Sequence, residues 1–161
     1  MEVRVKHARG YQSEAFARFH RITTALPFEM NGGDSGPTPP ELLLAALGTC
    51  SMHYAVEYLR ARGLPTDAVV LKVNATKGGH PVRLVEISVE IDAPTLGLRA
   101  RAGLKKAVEA CLLHQTLSNP PRVKVDSRPR RWSIRWLFER VVPGVARGKC
   151  GSGASSVLAS S

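Results

Sequence analysis

The run Gly32-Gly33-Asp34-Ser35-Gly36-Pro37-Thr38-Pro39-Pro40-Glu41-Leu42-Leu43-Leu44-Ala45-Ala46-Leu47-Gly48-Thr49-Cys50-Ser51 decides which fold this chain can adopt. Its first third is rich in Gly, Asp, Ser and Pro, residues that tolerate unusual backbone angles, and reads as a loop. Thr38 then offers a side-chain oxygen to a helix start. Prolines suit the first helical turn, and Glu41 stands three residues after Thr38, the Ser/Thr-x-x-Glu pattern of a capping box. The spacing predicts a helix from about Pro39 to Ala61. Leu42 to Leu47 is apolar on every side, so the helix is expected to be buried all round. Gly63, just past Arg60 and Arg62, supplies the stop.

Outward from this helix the pattern changes to period two. Val3 to His7 and about Phe16 to Thr24 read as strands, joined through Ala8 to Ser13; Glu14 to Arg21 also fits a helical drawing. Val69 to Thr76 reads as a strand, and Gly78-Gly79-His80-Pro81 as a turn. In the next strand, Val82 to Asp92, Val85, Ile87, Val89 and Ile91 share one face while Glu86, Ser88 and Glu90 share the other. Leu104, Ala107, Val108, Cys111 and Leu112 recur at helical spacing and predict a second helix from about Leu98 to His114. A short strand is expected at Val123 to Val125. The order β-β-α-β-β-α-β, with two main helices against antiparallel sheets, is that of an α+β fold.

The chain has 161 residues, 43% of them hydrophobic and 22% charged, which suits one folded domain. The net charge of +10 is unevenly spread. Residues 1–126 hold sixteen basic and twelve acidic side chains, whereas 127–161 hold seven basic and one acidic. Two regions follow: a mildly basic domain over 1–126, and a basic, low-complexity extension over 127–161 that is expected to be disordered. The alternatives for the extension are an amphipathic anchor using Trp132, Trp136 and Phe138 and an altered reading frame at the end of the gene, which its abrupt shift in composition would fit. The domain's modest charge argues against a nucleic-acid partner. No apolar run reaches the length of a membrane span, and Met1 to Lys6 lacks the apolar core of a signal peptide, so a cytoplasmic location is expected.

Three widely spaced cysteines do not form a secreted disulfide framework. Cys50 and Cys111 each fall in a predicted helix, and each is followed three residues later by histidine, His53 and His114. Neighbours at that spacing share a helix face, so each thiol has an imidazole to favour its reactive thiolate. If the helices pack together, one cysteine can attack a peroxide and the other can resolve the sulfenic acid to a disulfide. The plainer reading makes both cysteines small core residues. A third reading makes the two Cys-x-x-His pairs a zinc site, although both lie on leucine-rich helices. No role is assigned to Cys150.

The run from Gly32 to Ser51 resembles the signature of the OsmC/Ohr-like family, the osmotically induced and organic hydroperoxide resistance proteins. Cys111-Leu112-Leu113-His114-Gln115-Thr116-Leu117 is similar to that family's second cysteine motif, and the resemblance covers about residues 1–126. It implies an intertwined homodimer with its sites at the subunit interface. It also implies reduction of organic hydroperoxides, with a dithiol or a lipoylated protein as reductant and no metal or organic cofactor. By resemblance, Cys50 is the cysteine that attacks the peroxide and Cys111 the one that resolves. An activating glutamate is expected ten residues before the first cysteine, paired with an arginine from the N-terminal hairpin. Here that position is Pro40, and Glu41 is the nearest carboxylate, half a turn out of phase with Cys50. Arg9 lies closest to the expected turn, with Arg18 and Arg21 as rivals.

The leading expectation is a cysteine-based hydroperoxide reductase of the shorter OsmC-like branch. Its substrate would sit against an apolar surface near Leu43, Leu47, Met52 and Leu112, and His53 is an alternative activator of Cys50. The rival is a non-enzymatic ligand-binding or stress-associated protein, favoured by Pro40 in the glutamate position.

Overall fold

Thr38 and Glu41 begin the long helix where the sequence places it. The computed structural model describes residues 1–67 and 69–127. Helix α1 spans Pro39–Arg60, with Thr38 at its N-cap, a complete capping box and proline at its first positions. It ends with the Leu64 N–H on the Leu59 carbonyl and with Gly63 at φ +62°, a left-handed geometry that glycine adopts without a Cβ penalty.

Ahead of α1 lie three strands, β1 (Arg4–Arg9), β2 (Gln12–Ala17) and β3 (His20–Thr24), paired antiparallel in that order. The single strand expected over 16–24 is in fact a tight hairpin. Ala17 pairs with His20 across a two-residue turn, and Arg18 carries φ +56°. Glu14 on the middle strand holds Lys6 at 3.1 Å and Arg21 at 3.4 Å, tying one face of the sheet together.

After α1 come β4 (Val70–Gly78) and β5 (Arg83–Asp92), a separate antiparallel pair. Its register slips between Thr76, which faces Glu86, and Lys77, which faces Leu84. Val85 is the extra residue of this bulge. The alternation therefore holds for Ile87, Val89 and Ile91, but Leu84 takes the inner side and Val85 is 48% exposed.

The helix expected over 98–114 is two helices. Helix α2 (Leu98–Glu109) ends at Ala110, and α3 (Leu112–Ser118) begins after Cys111, which has extended backbone and serves as the α3 N-cap. No strand forms at 123–125, because no strand of either sheet pairs with it. All of these helices and strands belong to one compact unit, Met1–Arg122. The basic extension proposed over 127–161, with Trp132 and Cys150, lies outside the described residues from position 128 onward.

The core forms where α1 meets α2 and the segment between β5 and α2. Ala55, Leu59, Ala93, Leu96, Leu104 and Val108 are buried together. Helix α1 is not buried all round as expected. Only Leu47, Ser51, Ala55 and Leu59, one stripe at four-residue spacing, are buried, while Leu43 is 40% exposed. Among the described residues only α2, α3 and β4 pack extensively on α1, and its other faces carry no described element. By length and mean hydropathy (1.2) α1 matches a membrane span, but it carries Glu41, His53 and Glu57 and supplies the core stripe of this fold.

Candidate functional site

Cys50 lies in the fourth turn of α1, half-buried, next to the buried stripe. Cys111 is fully buried at the α2–α3 junction. Both thiols are free. The junction is brought against α1 by its own chemistry. The backbone N–H of His114 donates to Cys111 Sγ at 3.2 Å, so the sulfur takes the place of the oxygen that usually caps a helix. The same sulfur lies 3.4 Å from Ser51 Oγ. Cys111 is thus held against the residue that follows Cys50. Cys50 is half-buried and Cys111 fully enclosed.

The i, i+3 relation of cysteine to histidine takes two forms. At Cys111 it survives as a backbone bond, since the His114 amide rather than its ring meets the sulfur. At Cys50 the histidine looks elsewhere: His53 Nε2 is 3.3 Å from Glu57 Oε1 on the exposed side of α1, and its ring meets Tyr54 edge-on. No group of three or more His, Cys, Asp or Glu side chains gathers in metal-binding range among the described residues, so the two Cys-x-x-His pairs do not form a ligand set there.

Glu41 and Arg9 are held by other partners within the chain. Glu41 Oε2 accepts the Thr38 N–H at 2.7 Å and the Thr38 hydroxyl at 2.8 Å. The backbone bond first and the hydroxyl second hold this carboxyl below its ordinary value of 4.5, with Lys77 adding a weaker pull. Arg9 Nε donates to Gln12 Oε1 at 3.2 Å across the first hairpin turn. Of the rival arginines, Arg21 is on Glu14 and Arg18 occupies the second turn. No ion pair joins Glu41 to an arginine among the described residues.

Two concavities lie along α1, and neither cysteine is among their lining residues. One, of about 520 Å³, opens between α1 and β4 and is lined by Glu41, Leu44, Gly48, Thr49, Met52 and Val73, among others. The other, of about 390 Å³, lies over β5 and α3 and takes Leu47, Ile87, Val89, His114 and Leu117. Of the apolar residues expected to line a substrate surface, Met52 and Leu47 do so in different concavities. Leu43 and Leu112 line neither and are exposed. Sequence reasoning missed Ser51. Its signal was present as a lone hydroxyl in the stripe Leu47, Ser51, Ala55, Leu59, where every other member is apolar.

A family model described as OsmC-like protein matches residues 32–126, more than half of the chain. No curated protein sequence matches it. Among solved structures, an OsmC-like protein from Mycoplasma pneumoniae aligns with TM-score 0.63 at 20% identity, over 74% of this chain and 87% of its own. An organic hydroperoxide resistance protein OsmC from Legionella pneumophila aligns with TM-score 0.54 at 18% identity, over 73% and 89%. A Vibrio cholerae protein described as an organic hydroperoxide resistance protein, with captopril bound in one of its active sites, aligns with TM-score 0.56 at 12% identity, over 78% and 88%. At these identities the likeness is one of fold.

Proposed function

This chain belongs to the OsmC-like protein family, and on that premise we propose that it is a thiol-dependent peroxidase acting on organic hydroperoxides. The observation that carries the reading is the placement of a buried, doubly hydrogen-bonded Cys111 sulfur against Ser51, next in the chain to the accessible Cys50. The Cys50 thiolate attacks the distal peroxide oxygen. The O–O bond breaks, the alkoxide takes a proton and leaves as an alcohol, and Cys50 becomes a sulfenic acid. The Cys111 thiol then attacks the Cys50 sulfur, water leaves, and a disulfide closes. An external dithiol, free or carried as a lipoyl group, takes up the disulfide and returns two thiols while being oxidised itself.

The concavity beside Thr49 and Met52 has apolar walls from Leu44 and Val73, which favours a hydroperoxide with an apolar body over hydrogen peroxide. By resemblance, Glu41 is the nearest carboxylate and Arg9 the leading arginine for activating Cys50. Their partners within one chain are Thr38 and Gln12, so activation calls for an arrangement that a single chain does not assemble. We take the active form to be a homodimer in the cytoplasm, where a reducing environment keeps both thiols available. The open faces of α1 and exposed apolar side chains such as Val5, Phe19 and Leu43 support the dimer.

A second reading, a ligand-binding protein with little turnover, is favoured by the engagement of Glu41 in the capping box. Consumption of cumene hydroperoxide with a dithiol reductant decides between the two. Turnover that is lost in Cys50→Ser supports the peroxidase. A wild-type protein that consumes no peroxide above a protein-free control, while its thiols stay reduced and accessible, leaves the binding protein.

A further inference from the structure

Leu47, Ser51, Ala55 and Leu59 are the four buried positions of α1, and Ser51 is the one buried polar residue among the described residues. Alanine would suit the position better on local grounds, since it is the stronger helix former and buries no hydroxyl. The hydroxyl is instead satisfied by Cys111 Sγ, 3.4 Å away. That sulfur also accepts the His114 N–H at 3.2 Å. Partners on two different elements therefore fix its position, and only one of them, Ser51, belongs to the helix that carries Cys50.

We propose that Ser51 is a positioning residue for the resolving step: its hydroxyl anchors the Cys111 sulfur to α1, in reach of Cys50. The proposal rests on the two-cysteine reading above. It concerns the second step alone, in which the Cys111 sulfur forms a bond to the Cys50 sulfur and the sulfenic hydroxyl leaves with a proton as water. Ser51 touches neither the peroxide nor the oxygen that is transferred, so attack on the peroxide should not depend on it. A residue that merely fills the core would not separate the two steps in this way.

The test uses the full chain carrying Cys150→Ser, reduced, with and without Ser51→Ala. One equivalent of cumene hydroperoxide is added, and samples are quenched over time with dimedone, which traps sulfenic acid. Mass spectrometry then follows the Cys50 adduct and the Cys50–Cys111 disulfide. In parallel, diamide, which accepts two electrons and two protons from a pair of thiols, drives the same disulfide without any peroxide. Ala55→Gly, one turn along the stripe, weakens α1 while leaving both hydrogen-bond partners of Cys111 in place, and serves as the packing control.

In Ser51→Ala the sulfenic acid is expected to form at the wild-type rate and to persist about tenfold longer, the scale of one lost hydrogen bond. Diamide closure is expected to slow to a similar degree, while Ala55→Gly changes neither. Diamide closure at the wild-type rate in Ser51→Ala, or equal slowing in Ala55→Gly, overturns the proposal. If peroxide yields no sulfenic acid but diamide closure is slowed by Ser51→Ala alone, the positioning role stands and the peroxidase reading falls. If neither oxidant joins Cys50 to Cys111 in the wild type, both fall.

Discussion

Glu41 and Thr38 satisfy each other at the head of α1: the carboxylate accepts the Thr38 N–H at 2.7 Å and its hydroxyl at 2.8 Å, and the Glu41 N–H returns a bond to Thr38 Oγ1 at 3.5 Å. The carboxyl is held below 4.5 in the folded chain. A depressed folded value gives stability that is present above the unfolded value and lost as the pH falls through the folded one. The melting temperature of Glu41→Gln should therefore lie below the wild type at neutral pH, and the two should converge as the pH falls below 4.5. Thr38→Ala, which removes the cap itself, should cost about 1 kcal/mol in chemical denaturation.

Cys111→Ser should separate the two chemical steps. Serine is a good N-cap, so α3 keeps its first-turn acceptor and the fold should be retained. The variant is expected to consume a single equivalent of cumene hydroperoxide per chain and to stop as a Cys50 sulfenic acid that dimedone labels. A variant that closes a disulfide with unchanged kinetics would remove Cys111 from the site.

Leu104 is fully buried where α2 meets α1. Leu104→Ala should destabilise the chain by about 2–5 kcal/mol, read from the denaturant midpoint at unchanged slope.

Gly48 lets α1 lie close on β4: a Cβ built there would be 3.2 Å from Val73 Cγ2. Gly48→Val should push the helix away and cost about 1–3 kcal/mol. Since Gly48 also lines the larger concavity, its Michaelis constant for cumene hydroperoxide should rise.

Sedimentation equilibrium should give a mass twice the 17.4 kDa of the chain. A monomer would withdraw the dimer and require the exposed faces of α1 to be covered in some other way.

Sequence alone was most informative where local chemistry and burial agree. Thr38, the prolines and Glu41 announce the start of α1, and Ile87, Val89 and Ile91 announce β5. It failed where the backbone turns without the usual residues. The β2–β3 turn uses Arg18 in a left-handed conformation, with no Gly, Asn or Pro to mark it. The break between α2 and α3 falls at Ala110-Cys111, where helical spacing runs unbroken from Leu104 to Leu112. Only tertiary packing, which draws the Cys111 sulfur to Ser51, distinguishes that break from a continuous helix. Cys50 and Cys111 each stood out by motif. The serine between them was legible only as an oddity in an apolar stripe, and its partner could be named only once the elements were in place.

Helix α3 is seven residues long, and its opening turn leans on a sulfur atom. A helix so short has no cooperative reserve of its own and depends on its ends and its packing. Were that sulfur to swing toward Cys50, as the proposed resolving step requires, it would move off the His114 amide that it caps in the reduced chain. On the two-cysteine reading proposed above, electron count and helix order would meet at one atom, and the folded shape of residues 112–118 would record whether the thiols hold their two electrons.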